Sequence, residues 1–216
     1  MGRVELQRLT KRYGALLAND AIDLTLNPGE IHALLGANGA GKTTLVNILA
    51  GTLPATSGQV LVPGRLRVVH QHFRLVETFT VAENIMLGRE PGPGFILDGR
   101  RGRALAREAA ERFGLDLDPD AVVADLPVGA RQRVEVVKAL VDDADWLVLD
   151  EPTAVLRPAE IDHLMGVLDR LRKAGRGILL ITHKLAEATA IADRITVLRQ
   201  GRVVAEVAPD IPHSEL

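Results

Sequence analysis

The sequence predicts an α/β fold with a parallel sheet at its core and a mostly helical insertion. Three observations carry this. Short strands alternate with stretches of helical periodicity, as in "DWLVLD", then "PAEIDHLMGVLDRLRKAG", then "GILLIT". Several of these strands are apolar almost throughout, which suits strands covered on both faces. The middle of the chain, 75–144, reads as mostly helical.

The elements follow in order. "VELQRL" and "AIDLTL" alternate apolar and polar residues and are expected as half-buried strands. "NPGE" is a tight turn into the buried strand "IHALLG". A helix is expected over 42–50, closed by Gly51. "GQVLV" and "LRVVHQ" read as short strands. Helices are expected over 81–87, 100–113 and 131–141, with a Gly/Pro-rich loop "GREPGPGF" between the first two. Between "DWLVLD" and "GILLIT", apolar Ile161, Leu164, Leu168 and Leu171 recur at helical spacing. "RITVLRQGRVVAEV" reads as a closing hairpin that turns at Gln200-Gly201.

Composition narrows the class. A chain of 216 residues suffices for one sizeable domain or for a core with an inserted subdomain. Aromatics are only 3%, so the core must be aliphatic. The net charge of −2 gives no general attraction to nucleic acid or an anionic membrane. Arg100, Arg101 and Arg103 stand beside acidic residues on an expected helix and read as a solvated face. With no cysteine, disulfides and thiolate metal sites are excluded, which fits a reducing compartment. "MGRVELQRLTKRYG" lacks the apolar segment of a signal peptide, and runs such as "GILLI" are too short to span a bilayer. A soluble protein is expected.

"GANGAGKT", 36–43, fits G-x-x-x-x-G-K-[ST]. A triphosphate is dense in negative charge. Gly36, Gly39 and Gly41 let the backbone curl so that its N–H groups converge on phosphate oxygens. The helix that starts near Lys42 adds its positive dipole end. Lys42 is placed for the β- and γ-phosphates, and the Thr43 hydroxyl for Mg²⁺. Asn38, Ala40 and Thr44 complete the expected nucleotide-binding set. A plain glycine-rich turn is the alternative; the strand before and the helix after favour the cradle. "WLVLDE" ends an apolar strand with two carboxylates. Asp150 is expected to hold Mg²⁺ through its coordination sphere and Glu151 to act as general base on the attacking water. Gln71 in "VVHQHF" and His183 in "LLITHKL" end two further strands. An amide there reaches Mg²⁺ and water; an imidazole there reaches the γ-phosphate.

The order of P-loop, Gln71, "LPVGARQR", "LVLDEPT" and "ITHK" resembles the nucleotide-binding domain of an ABC transporter, over essentially the whole chain. The resemblance implies a P-loop NTPase with a RecA-like parallel core, an antiparallel β subdomain and an inserted helical subdomain. It implies one cassette over 1–216, with 1–74 and 145–216 as catalytic core and β subdomain and 75–144 as helical subdomain. It implies ATP and Mg²⁺ as cofactors, with Tyr13 of "TKRYG" stacking on adenine. "VVHQHFRLVETFTVAENIMLG", "RQRVEVVKAL" and "DEPTAVLRPAE" resemble the N-terminal cassette of tandem ATPases that serve bacterial nucleoside and monosaccharide importers. A separated or truncated N-terminal half is the expectation, with a natural half-size subunit as the alternative. Its partners would be a second cassette, transmembrane permease subunits and, indirectly, a substrate-binding protein, with no nucleic acid. Its place would be peripheral, at the cytoplasmic face of the cell membrane. A regulatory ATP-binding module with little hydrolysis is disfavoured by Glu151 and His183. A soluble ABC ATPase of DNA repair or translation usually carries coiled-coil, zinc-binding or basic insertions, and none is seen here.

The stretch "DLPVGARQR" departs from that family's pattern, which reads Leu-Ser-Gly-Gly-Gln. In the family this segment covers the ATP held by the P-loop of the other cassette. Here it is Leu126, Pro127, Val128 and Gly129, followed by Ala130 in place of Gln. Proline has neither a hydroxyl nor a backbone N–H. A weakened phosphate clamp is expected, and with it two unequal ATP sites in a pair of cassettes. Ala154-Val155-Leu156-Arg157 likewise stands where the family has Ser-Ala-Leu-Asp.

Overall fold

The computed structural model describes residues 2–71, 73–87, 99–141 and 143–209. The expected loop "GREPGPGF", at 88–95, lies outside them. In chain order the elements are β1 (Val4–Tyr13), β2 (Leu16–Leu26), β3 (Ile31–Leu35), α1 (Lys42–Leu49), β4 (Ser57–Leu61), β5 (Leu66–Val69), α2 (Val81–Met86) and α3 (Gly99–Phe113). There follow a 3-10 turn (Val123–Asp125), α4 (Val128–Leu140), β6 (Trp146–Asp150), α5 (Pro158–Lys173), β7 (Gly177–Thr182), α6 (Leu185–Ile191), β8 (Arg194–Arg199) and β9 (Arg202–Val207).

A six-stranded sheet runs in the order β5-β6-β7-β3-β8-β9, with its first five strands parallel and β9 antiparallel to β8. The period-two rule sorts its side chains between two cores. Ile31, Ala33, Leu147, Leu149, Ile178 and Leu180 face one, with Leu164, Val167, Leu168 and Leu171 of α5 and the buried residues of α2 to α4. Leu34, Trp146, Val148, Leu179 and Ile181 face the other, with Leu45, Val46, Ile48 and Leu49 of α1. That second core also takes Val4, Leu6, Leu9, Ile22, Leu24 and Leu26 from a three-stranded antiparallel sheet, β2-β1-β4. Each such leucine or isoleucine stabilises the fold by about 1.5–3 kcal/mol. This accounts for the apolar runs noticed in "LVL" and "ILLI": both faces of these strands are covered.

Helix ends follow ordinary capping chemistry. Thr80 and Glu83 form a reciprocal capping box on α2. Pro158 opens α5, where Glu160 accepts from the Arg157 N–H at 2.9 Å. Two elements differ from the sequence reading. α4 begins at Val128, three residues before Arg131, because Pro127 in extended conformation (φ −63°, ψ 157°) is its N-cap and Val128-Gly129 already belong to the first turn. α6 was not expected at all: it is only seven residues long, just under two turns. The closing hairpin turns at Gln200-Gly201 as expected, both with positive φ (50° and 77°). Among the described residues, no helix is long and apolar enough to cross a membrane.

Candidate active site

Four chain segments leave the parallel sheet at its carboxyl edge, where open α/β sheets bind ligands. β3 leads into the glycine loop, β5 to Gln71, β6 to Asp150-Glu151 and β7 to His183. Register makes them neighbours: Leu35 pairs with Thr182, and Asp150 with Ile181. Beyond the ladder, the Gly36 N–H donates to the Thr182 carbonyl at 3.3 Å and the Glu151 N–H to the Ile181 carbonyl at 2.9 Å.

A cleft of about 630 Å³ opens there. Its walls include Tyr13, the loop residues Ala37 through Thr44, Gln71, Asp150 and Glu151. The expected residues Asn38, Gly39, Ala40, Gly41, Lys42, Thr43 and Thr44 therefore all line one space with the expected adenine platform and carboxylates. Gly36 and His183 line a second cavity of about 500 Å³, which shares Ala37, Asn38, Gly39 and Ala40 with the first. The loop's curl has a specific cause at Gly41. Its φ is +103°, and a Cβ there would stand 2.4 Å from the Ala18 carbonyl oxygen. A side chain would push the loop off β2.

Glu151 is the hub of the side-chain contacts. Its Oε1 lies 3.5 Å from Lys42 Nζ and 3.2 Å from His183 Nδ1. Its Oε2 lies 3.3 Å from Gln71 Nε2, which donates to it. Its backbone takes the left-handed region at φ +48°, a conformation costly for a non-glycine residue and common at functional sites. Lys42 is only 6% exposed and also donates to the Gly36 carbonyl at 2.5 Å and the Ala37 carbonyl at 3.2 Å. Burial pushes the Asp150 carboxyl above the usual carboxylate range; the neighbouring Glu151 charge acts the same way, and Lys42 opposes both. Tyr13 ends β1 and is 46% exposed, with Lys11 Nζ 5.2 Å from its ring centre.

Leu126, Pro127, Val128 and Gly129 are not part of this cleft. They form the start of α4, where Pro127 makes no side-chain cap and Val128 is 40% exposed. Gly129 is buried for a reason internal to the chain. A Cβ there would fall 2.1 Å from the Glu160 carboxylate of α5.

Several supporting residues escaped the sequence reading. Asn19 is fully buried and donates to the Gly41 carbonyl at 3.2 Å. The Gly201 N–H donates to the Ala40 carbonyl at 3.0 Å, and its own carbonyl accepts from the Asp20 N–H at 2.8 Å, so the hairpin turn ties the glycine loop to β2. Nothing local in the sequence marks Asn19. The Gln200-Gly201 turn was legible, but not what it touches. Beneath the loop, His32 of β3 is completely buried. Its Nδ1 donates to the Thr25 carbonyl (3.2 Å), and its Nε2 accepts from the Thr196 hydroxyl (2.7 Å). Burial first, then the Arg194 charge, holds its pKa down to about 4.

A glycine loop between strand and helix, a lysine on it and paired carboxylates on a neighbouring strand end together define a P-loop NTPase. The comparisons give the family. The ABC transporter family description matches residues 19–154, more than half of the chain. The chain belongs to that family. It is 49% identical over 215 residues to the nucleoside import ATP-binding protein NupA of Lactococcus lactis subsp. cremoris, covering 93% of this chain and 42% of that one. It is 42% identical to the ribose import ATP-binding protein RbsA 1 of Rubrobacter xylanophilus, covering 99% and 46%. It is 45% identical to the guanosine import ATP-binding protein NupO of Bacillus subtilis, covering 92% and 42%. The chain thus spans less than half the length of these curated relatives. Among solved structures, it matches CbiO1 of Clostridium perfringens, part of an ABC transporter complex, with 27% identity and a TM-score of 0.83 over 95% of this chain and 88% of that one. The same fold occurs in a dimeric ATP-binding cassette bound to ADP and Pi, at 24% identity and a TM-score of 0.82 over 97% and 100%.

Proposed function

We propose that this chain is an ATP-binding and ATP-hydrolysing cassette that energises import through a membrane permease, of nucleosides or simple sugars. The observation that carries the reading is the convergence of Lys42, Gln71 and His183 on Glu151 beside the glycine loop. The substrate class rests on the similarity of the chain, along most of its length, to the nucleoside, guanosine and ribose import ATP-binding proteins NupA, NupO and RbsA 1.

In this reading Tyr13 stacks on adenine, and the loop from Gly36 to Thr44 holds the phosphates by backbone N–H groups. Lys42 neutralises the β- and γ-phosphates. Glu151 accepts a proton from the attacking water, and His183 contacts the γ-phosphate. Thr43, Gln71 and Asp150 are the candidate holders of Mg²⁺. They fit it: all three offer hard oxygens in the same cleft, and Mg²⁺ commonly takes one or two carboxylates plus phosphate oxygens. When bound, the ion supplies charge neutralisation to the phosphates. Burial first, then the Glu151 charge, raises the proton affinity of Asp150, and a bound cation would offset both.

The chain is read as one cassette, with 1–74 and 145–216 as catalytic core and β subdomain and 75–144 as helical subdomain. Its partner is a second cassette, the C-terminal half of a tandem chain, which accords with its covering 42% to 46% of the relatives. Permease subunits, with a substrate-binding protein acting indirectly, complete the assembly at the cytoplasmic face of the membrane. The 126–129 segment faces the partner's ATP.

Glu151→Gln tests the reading. Its amide still hydrogen-bonds to water but is a poor proton acceptor. Turnover should fall while ATP affinity by calorimetry is preserved. Unchanged single-turnover hydrolysis removes Glu151 from the role of base.

A further inference from the structure

We propose that Glu187 of α6 is a positioning residue for His183, fixing the His183 loop against the loop that carries Glu151. The inference rests on the hydrolytic reading above. Glu151 and His183 follow different strands, β6 and β7, yet their side chains meet at 3.2 Å. Backbone pairing aligns the two strands up to Glu151, whose N–H donates to Ile181. Past that point, side chains make the connection, and they converge on one carboxylate.

Glu187 Oε2 accepts from the Thr153 hydroxyl at 2.6 Å and from the Thr182 hydroxyl at 3.2 Å. Its Oε1 accepts from Lys184 Nζ at 2.8 Å. The Thr182 hydroxyl in turn accepts from the Lys184 N–H at 3.0 Å. Thr153 lies two residues after Glu151, while Thr182 and Lys184 flank His183 on either side. One side chain therefore holds both neighbours of His183 to the Glu151 loop. The network is built for rigidity. Thr153 and Thr182 are each 2% exposed, and the Glu187 side chain is 10% exposed. Hydrogen bonds to a charged group are the stronger kind, and in a buried site they hold geometry well. The glycine loop is held to β7 separately, by a backbone bond from the Gly36 N–H to the Thr182 carbonyl that does not involve Glu187. Glu187 itself lines neither the main cleft nor its neighbour and acts only through these residues.

The experiment is single-turnover hydrolysis of MgATP by the 216-residue chain in excess, with nucleotide affinity by calorimetry and thermal unfolding in parallel. The variants are Glu187→Ala, Glu187→Gln and Thr153→Val. Misplacing a reacting group by an ångström lowers rates steeply, so Glu187→Ala should hydrolyse about ten- to a hundredfold more slowly. Its nucleotide affinity should be unchanged. Glu187→Gln keeps an oxygen that accepts from both threonine hydroxyls and should recover most of the rate. Thr153→Val, nearly isosteric, should fall in between. A merely structural role would lower rate, affinity and melting temperature together, and Gln would not rescue; that pattern overturns the proposal. So does a wild-type rate in Thr153→Val, which decides the matter even if Glu187→Ala fails to fold. The wild-type chain alone should hydrolyse slowly but measurably, and that slow rate is the baseline for the variants; a chain that leaves ATP wholly intact even over prolonged incubation would defeat the hydrolytic reading and this proposal with it. An active wild type with unaffected variants defeats the proposal alone.

Discussion

The glycine loop at 36–43 and the segment at 126–129 are both stretches of glycine-bearing backbone at the start of a helix, and they are built to opposite specifications. The loop is completed within the chain: Asn19, Thr182 and Gly201 grip its backbone, and Glu151 lies against its lysine. The 126–129 segment is tied instead to its immediate neighbours in the chain, with Arg131 Nε donating to the Leu126 carbonyl at 3.0 Å and the Leu126 N–H to the Val123 carbonyl at 3.1 Å. Its proline offers neither hydroxyl nor N–H, and Val128 points into solvent at 40% exposure. Its one buried glycine packs against the Glu160 carboxylate of the same chain. The comparison teaches that the first site can be judged from this chain alone, whereas the second lies outside this chain's own cleft, in line with the proposal that it faces the ATP of another cassette.

The largest expected effect breaks the stronger half of the comparison. Lys42→Ala should abolish measurable ATP binding, since each charged hydrogen bond to phosphate contributes about 1.5–3 kcal/mol and the proposed role of Lys42 is to serve two phosphates. Equal affinity in mutant and wild type, by calorimetry, would remove the loop from the nucleotide site.

Next comes the strand beneath the loop. The folded His32 has a pKa of about 4 against an ordinary value of 6.5. Because the folded value is depressed, the unfolded chain takes up a proton first as pH falls. The stability is fully present above pH 6.5 and is lost progressively down to about pH 4. The loss should reach about 3 kcal/mol, and urea unfolding between pH 7.5 and 4.5 should reveal much of it. His32→Asn should flatten that slope; a slope unchanged by the substitution would assign the acid sensitivity elsewhere.

The smallest effect concerns the rim of the cleft. Tyr13→Ala should weaken ATP binding by ~1–3 kcal/mol through lost stacking. Unaltered affinity would make Tyr13 a packing residue of the β1–β2 hairpin.

The sequence made legible what is local and periodic. The apolar strands β6 and β7, the glycine loop between β3 and α1, and the carboxylates at the end of β6 all announce themselves within a dozen residues. So does the hairpin of β8 and β9. The misses share a cause. α6 is too short for periodicity to register, although Leu185 and Ala188 do fall on one face. The start of α4 was placed late because Pro-Val-Gly reads locally as a turn, whereas Gly129 is held helical against α5. Asn19, Gly201 and Glu187 act across 22, 161 and 34 residues respectively, on Gly41, Ala40 and Thr153. Only the folded sheet brings such pairs together.

The claim that the two phosphate-facing segments are unequal is tested most directly by sedimentation of the purified 216-residue chain, with and without ATP and Mg²⁺, alongside phosphate release. Paired with itself, the chain would close each ATP only with Pro127, Val128 and Gly129. Loss of one hydroxyl contact to a charged phosphate removes about 1.5–3 kcal/mol, roughly ten- to a hundredfold in closure. The chain should remain mainly monomeric with ATP and release phosphate slowly, despite intact Lys42, Glu151 and His183. A tight ATP-dependent homodimer with brisk phosphate release would contradict it.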